Sequence, residues 1–361
     1  MEIIADIKDI QGASVVDIKP VVEEILANRL AFPKREYQGR GIVTASGCAE
    51  RILQSLVSIS MLREHGCTLP IELFYADSLE MEEKHRRMFD ELSVTCINVQ
   101  DSLLFQTYNA RNFSIKAIAL YCSSFAEAIW MDADIIPMID VTDLFQCEHY
   151  QAHGYTFQLD IWSSGRNPNL FSYTLGQFFS QFNQKIQAGE PELDSGLFMF
   201  HKTRLAKALD ILLLLNLNHA VTYKSMYGDK DTFKLSIKLT EGSFSSTDLA
   251  PLPIGKFFAH ERLFCGNGVL FRRFDEEHRP FAVHMTLHSI DHLPRYPLLA
   301  DIWDSYIPRE IELLLKDVHP IAQALIPKYE YDCKWIRPLS KELQSTKESM
   351  YRYYNQYSVL M

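Results

Sequence analysis

The stretch Ala126–Phe145, AEAIWMDADIIPMIDVTDLF, constrains this chain more than any other. Ala128, Ile129, Trp130 and Met131 read as a buried strand that runs into two carboxylates one residue apart, Asp132 and Asp134, and breaks at Pro137. In open α/β sheets, ligands bind in the crevice at the carboxyl ends of the strands, so charge has been put where such a sheet does its chemistry. Side chains two residues apart on a strand point to the same side, and two like charges held together repel unless a cation sits between them. A hard, oxygen-liganded ion such as Mn²⁺ or Mg²⁺, bridging carboxylates to substrate phosphates, meets that need, with Asp134 as ligand and Asp132 reaching the donor's ribose or the ion through water. The plain alternative is a solvated acidic turn; the apolar run in front of it argues for the metal.

The chain ahead of this stretch alternates strand and helix patterns. Gly41–Gly47 is a short buried strand entering a small-residue turn, where Thr44, Ala45 and Ser46 would let backbone approach a phosphate or nucleoside. It lacks the G-x-G-x-x-G of a dinucleotide site. A helix over Arg51–His65 with Gly66 as its C-terminal cap, a strand over Leu69–Ala76, a helix over Glu80–Glu91 and a strand over Val94–Val99 complete a β-α-β-α-β series, hence a parallel sheet. The helix from Ser114 to Phe125 leads directly into the D-x-D strand, so that Lys116 could reach a diphosphate held at the metal; a solvated charge is the plain alternative. Beyond Asp140 the pattern predicts a mixed sheet with acceptor-side loops, and a Leu-rich core helix over Leu205–Leu217. The expected organisation is an N-terminal helical segment (1–37), an α/β catalytic domain (38–300) and a packed helical C-terminal extension (301–361).

Composition excludes several classes. A net charge of -10 argues against nucleic acid, whose phosphates call for a Lys/Arg-rich face. Seven scattered cysteines with no C-x-x-C pair disfavour zinc and a disulfide framework. No apolar run reaches the roughly 18 residues of a membrane helix, and the N-terminus lacks a signal peptide's basic flank and apolar core. As sequenced, the chain reads as cytoplasmic; a Golgi lumen reached through a missing anchor, or secretion as an effector, are the alternatives.

Four further clusters carry candidate chemistry. Asp160 and Trp162 in QLDIW suit a sugar, with an aromatic face for its C–H surface and a carboxylate for its hydroxyls. Asp194-Ser195-Gly196 stands just before an apolar strand, where a substrate can touch backbone. Asp229-Lys230-Asp231, after Gly228, offers Asp229 or Asp231 as a polar partner for the reacting sugar or acceptor hydroxyl, with Lys230 balancing charge; a capped helix start is the other reading. His284 ends the apolar run Phe281-Ala282-Val283, and an imidazole complements carboxylates as a Mn²⁺ ligand. We prefer it to His288 because the strand fixes where its ring points.

Read in order, GRGIV at Gly39–Val43, LREHGCTLPIE at Leu62–Glu72, the run KAIALYCSSFAEAIWMDADIIPMIDVTDLF from Lys116, QLDIW, LDSG and GDKDTF resemble the fungal-type Golgi α-mannosyltransferases of glycosyltransferase family 71, the Mnn-type α-1,2- and α-1,3-mannosyltransferases. The resemblance runs from about Gly39 to about His288. It implies a GT-A fold, that is, a Rossmann-like mixed, mostly parallel sheet flanked by helices. It also implies a nucleotide-sugar donor (GDP-mannose), a divalent metal, a glycan or glycoprotein acceptor, and transfer with retention of configuration. Two departures fall on the donor-sugar side: Gln158 and Leu159 replace a Trp-Pro pair, and Asp194-Ser195-Gly196-Leu197 replaces Glu-Ser-Gly-Gln. They keep open a transferase for UDP-glucose, UDP-galactose or UDP-GlcNAc, and a degenerate domain that binds without catalysis; paired carboxylates also leave a glycoside hydrolase as a third option. The sequon Asn112-Phe113-Ser114 would put a glycan beside the proposed site, which favours a compartment without N-glycosylation.

Overall fold

The apolar run Ala128–Met131 occupies the middle of a sheet, and this explains why it carries no polar alternation. The computed structural model describes residues 15–33, 35–47, 49–76, 81–101, 112–163, 171–186, 191–226, 228–245, 251–258, 263–272, 279–285, 301–303, 336–338 and 341–361. These residues fall into two units by their contacts, one built from 1–47, 69–131 and 145–247 and the other from 48–68, 132–144 and 248–361.

The strands of the first unit are β1 (Arg40–Ala45), β2 (Ile71–Tyr75), β3 (Val94–Asn98), β4 (Glu127–Met131), β6 (Tyr155–Ser163) and β7 (Pro191–His201), in the order β3-β2-β1-β4-β7-β6. β1 pairs in parallel with β2 and β4, and β2 with β3, whereas β7 runs antiparallel to both β4 and β6. This is the mixed, mostly parallel sheet expected. Strands covered on both faces read as continuous apolar runs; β4 is buried from Ala128 to Met131, and Trp130 stacks on Phe198 at 6.2 Å.

Helices of this unit are α1 (Val15–Leu26), α3 (Glu83–Glu91), α4 (Ile115–Cys122), α5 (Glu148–His153), α6 (Phe171–Gln181), α7 (Ala206–Leu217), α8 (His219–Thr222) and α9 (Lys230–Glu241). The leucines of α7 are core, as their spacing indicated. α4 is buried from Lys116 to Tyr121, and its end is closed by Lys202. That fully buried ammonium donates to Leu120 O (3.0 Å), Ser123 O (2.7 Å) and Ser123 Oγ (2.7 Å) beneath the ring of Tyr37. Leu120 O also accepts from Ser123 Oγ at 3.0 Å, and a cation at a helix C-terminus suits both the lone pairs of the last carbonyls and the dipole.

The second unit holds α2 (Ala49–Glu64), α10 (Lys341–Ser358) and an antiparallel sheet in the order β12-β11-β8-β9-β10-β5. Its strands are β5 (Ile135–Pro137), β8 (Leu252–Phe258), β9 (Leu263–Arg272), β10 (Pro280–His284), β11 (Asp301–Trp303) and β12 (Ile336–Pro338). Two expectations change here. The chain does not simply break at Pro137: β5 forms first and ends there as an edge strand, a place that tolerates the missing N–H of proline. The C-terminal segment is not helical throughout, because β11 and β12 join the sheet; its described helix, α10, packs on α2, with Ser60 Oγ 2.8 Å from Tyr357 Oη and Arg352 bonded to Glu64 at 2.5 Å. Helices expected elsewhere in 301–361 lie outside the described residues.

Candidate active site

Leaving β4, the chain turns: the Ile135 amide donates to Asp132 O at 3.1 Å, and Ala133 and Asp134 form the corner. Asp at the first position of such a turn is favoured for its short acceptor side chain. β5 then pairs with β10 so that Ile135 faces His284, and the Met285 amide donates to Asp134 O at 3.0 Å. Register therefore brings together side chains about 150 residues apart. One ligand atom from each of Asp132, Asp134 and His284 lies within 4.8 Å of the others.

His284 Nε2 stands 3.5 Å from Asp134 Oδ1, and Arg51, from the first turn of α2, is 3.2 Å from Asp134 Oδ2. Burial alone would raise the Asp134 carboxyl, but His284 and Arg51 more than offset this and hold it below the usual carboxylate range. Its Oδ1 is buried and accepts no hydrogen bond. A buried carboxylate oxygen left so is costly, and two carboxylates with an imidazole form a donor set suited to Mn²⁺. The residues present fit a divalent ion. His288 lies outside the described residues.

In the first unit, a second group forms around Lys116. Its side chain is 5% exposed, and Nζ donates to Ser195 O (2.7 Å) and Ser195 Oγ (3.2 Å), pairs with Asp229 Oδ2 (3.4 Å) and lies 5.4 Å from the Trp130 ring centre. Between Phe157 and Gln158 the pairing of β6 with β7 shifts, so that Phe157 faces Phe198 while Gln158 faces Asp194. The skipped residues 195–197 bulge, and Asp194 Oδ1 fixes them by accepting from the Gly196 amide at 2.6 Å. Bulges re-aim side chains beside functional sites; here one presents Ser195 to Lys116.

Asp229 occupies the N-cap position of α9, yet its carboxylate makes no capping bond. Its backbone carbonyl instead accepts from the Thr232 amide (2.9 Å) and Thr232 Oγ1 (2.5 Å), while the carboxylate turns to Lys116. A plain helix cap does not account for it.

Lys230 heads a third group, donating to Asp160 Oδ2 at 2.9 Å and Glu192 Oε2 at 2.6 Å. Burial by itself would lower its pKa; Asp160 and Glu192 more than reverse that and raise it. Asp231 is buried beside it, and burial pushes its carboxyl up to about 6, with Glu192 and Asp229 adding to the rise and Lys230 and Lys234 opposing it.

Thr44 and Ala45 end β1, and Ser46 follows directly. Thr44 and Ser46 are buried, the Ser46 amide bonds Phe74 O at 2.9 Å, and Ser46 Oγ is buried without a hydrogen bond. Trp162 lies on β6, with its side chain outside the described residues. Sequence reasoning missed Arg51 and Glu192. Arg51 carried a signal, a cation in the first turn after a small-residue loop; Glu192, two residues before Asp194, carried none beyond proximity.

Residues 39–278 match the model of a protein family described as "Mannosyltransferase putative". The chain is similar to alpha-1,2-mannosyltransferase MNN21 of Candida albicans, 26% identical over 249 residues that cover 56% of this chain and 38% of that protein. It is similar also to alpha-1,2-mannosyltransferase MNN2 of Saccharomyces cerevisiae, 30% identical over 154 residues, 42% of this chain and 25% of that protein. The chain thus spans well under half the length of these relatives. Among solved structures, the mannosyltransferase Ktr4p from S. cerevisiae in complex with GDP is 10% identical with a TM-score of 0.40, over 66% of this chain and 82% of that one. Among the described residues, no helix is long and apolar enough to cross a membrane.

Proposed function

From a chain that belongs to the family described as "Mannosyltransferase putative", we propose a metal-dependent, retaining α-mannosyltransferase of GT-A type that takes mannose from GDP-mannose to a glycan or protein acceptor. The observation that carries this reading is the cluster of Asp132, Asp134 and His284, with ligand atoms within 4.8 Å of one another and Asp134 Oδ1 buried without a hydrogen bond. The relatives' names support mannose as the transferred sugar. The family resemblance favours a Golgi-type lumen over the cytoplasm.

A bound Mn²⁺ would supply positive charge against the departing nucleoside diphosphate. Asp132, Asp134 and His284 would hold it, and Arg51, 3.2 Å from Asp134 Oδ2, joins His284 in favouring the ionised carboxylate. The residues of the first unit position sugar and acceptor. Lys116 locks Ser195 and Asp229 in place, Asp229 presents a carboxylate to a reacting hydroxyl, and Lys230 fixes Asp160 and Glu192 as acceptors for sugar hydroxyls. Thr44, Ala45 and Ser46 serve the nucleoside, with Ser46 Oγ as a buried group still lacking a hydrogen bond.

The test is a donor screen read by release of nucleoside diphosphate. GDP-mannose with Mn²⁺ should give turnover that EDTA abolishes, and UDP-glucose, UDP-galactose and UDP-GlcNAc should give far less. Turnover that survives saturating EDTA, or its absence with every donor and acceptor tried, overturns the reading.

A further inference from the structure

Phe113 lies in the 3₁₀ turn Asn112–Ser114 that opens α4, and 47% of its surface is exposed. Among the described residues, the other exposed large hydrophobics are Val359 and Leu360, at the far C-terminus. The ring is not a loose side chain. It packs on Gly228, where an added Cβ would stand 3.0 Å from Cδ2 and 3.2 Å from Cγ, and where φ is +80°, a conformation that suits glycine. One residue on from Gly228 and one helical turn on from Phe113, Asp229 and Lys116 form their buried ion pair at 3.4 Å. Two adjacent contacts therefore fasten 113–116 to 228–229, and an exposed aromatic ring is fixed next to a carboxylate whose Oδ2 is buried and makes no hydrogen bond.

We propose that the ring of Phe113 is a stacking platform for a pyranose of the acceptor glycan, with Asp229 taking one of its hydroxyls. A pyranose has an apolar C–H face and a rim of hydroxyl donors; an aromatic face covers the first and a carboxylate accepts from the second. The positive charge of Lys116 is matched by Asp229, so these residues suit a neutral polyhydroxylated ligand better than a diphosphate. This assignment deepens the transferase reading and rests on it for the word acceptor. Gly228 serves the same arrangement, since a side chain there would displace the ring.

Calorimetry with mannobiose and mannotriose as probes, and separately with GDP and Mn²⁺, tests it on wild type, Phe113→Ala and Phe113→Trp. Phe113→Ala should weaken oligosaccharide binding about tenfold or more, Phe113→Trp should retain it, and all three proteins should bind GDP alike and unfold at similar temperatures. Equal oligosaccharide binding by wild type and Phe113→Ala, or no binding by wild type, overturns the proposal even if GDP-mannose is turned over. A loss confined to GDP overturns it in favour of a nucleobase on the ring. Phe113-dependent oligosaccharide binding without turnover of any donor would uphold the platform and sink the transferase reading instead.

Discussion

The Met285 amide donates to the carbonyl of Asp134 over 3.0 Å, and this single bond between residues about 150 apart fixes His284 beside the D-x-D turn. The side chains of Asp134 and His284 do not have to find each other; the pairing of β5 with β10 delivers them.

Metal binding should depend on that delivery. With three protein ligands at most and the remaining positions open, Mn²⁺ should bind weakly alone and much more tightly with GDP present, by mutual linkage. Asp134→Ala and His284→Ala should each lower Mn²⁺ affinity in the presence of GDP at least about tenfold. Titration calorimetry with and without GDP measures this, and unchanged affinity in both variants would show the site to be misplaced.

Gly268 provides an indirect probe of the same site. A Cβ there would come 2.8 Å from the His284 carbonyl oxygen and 3.2 Å from Ile254 Cγ2. Gly268→Ala should push β9 and β10 apart, costing about 1–3 kcal/mol in stability, and should lower Mn²⁺ affinity about tenfold although no ligand has changed. A variant that loses stability but keeps its full metal affinity would uncouple the strand from the site.

Asp229→Asn removes the charge that balances Lys116 while keeping the shape of the side chain. Turnover should fall by a factor of order 10², with donor affinity nearly intact, the behaviour of a contact made mainly in the transition state. Separate kcat and KM measurements check it; a change in KM alone would assign Asp229 to ground-state binding.

Asp231 predicts a pH dependence of stability. Its folded-state pKa of about 6 lies above the ordinary carboxylate value near 4. The folded protein therefore binds more protons than the unfolded chain over that interval, and the contribution of this group to stability falls as pH rises from about 4 to 6, then levels off. Asp231→Asn removes the titration, so the variant should gain on wild type by the order of 2–3 kcal/mol between pH 4 and pH 7. Denaturant midpoints at the two pH values read this directly, and a difference that does not move with pH would rule it out.

Local pattern was enough to fix the first half of the main sheet and the character of the D-x-D stretch. β1 to β4 and α2 to α4 follow from short apolar runs, helical spacing and glycine caps, all set by neighbours in the chain, and Gly66 indeed has the positive φ of a C-terminal cap. The choice of His284 rested on the same logic, since an apolar strand fixes the direction of the residue that ends it. Lys116 shows where this stops. Its place on a helix was legible, but its burial and its pairing with Ser195 and Asp229 depend on a bulge in β7 and on a helix start more than 110 residues away. Whether Asp229 caps its helix or faces a lysine, whether Pro137 ends a strand or merely breaks one, and which carboxylates hold Lys230 are decided by which distant segments pack together, because the free energy of a buried charge depends on the partner that tertiary structure supplies.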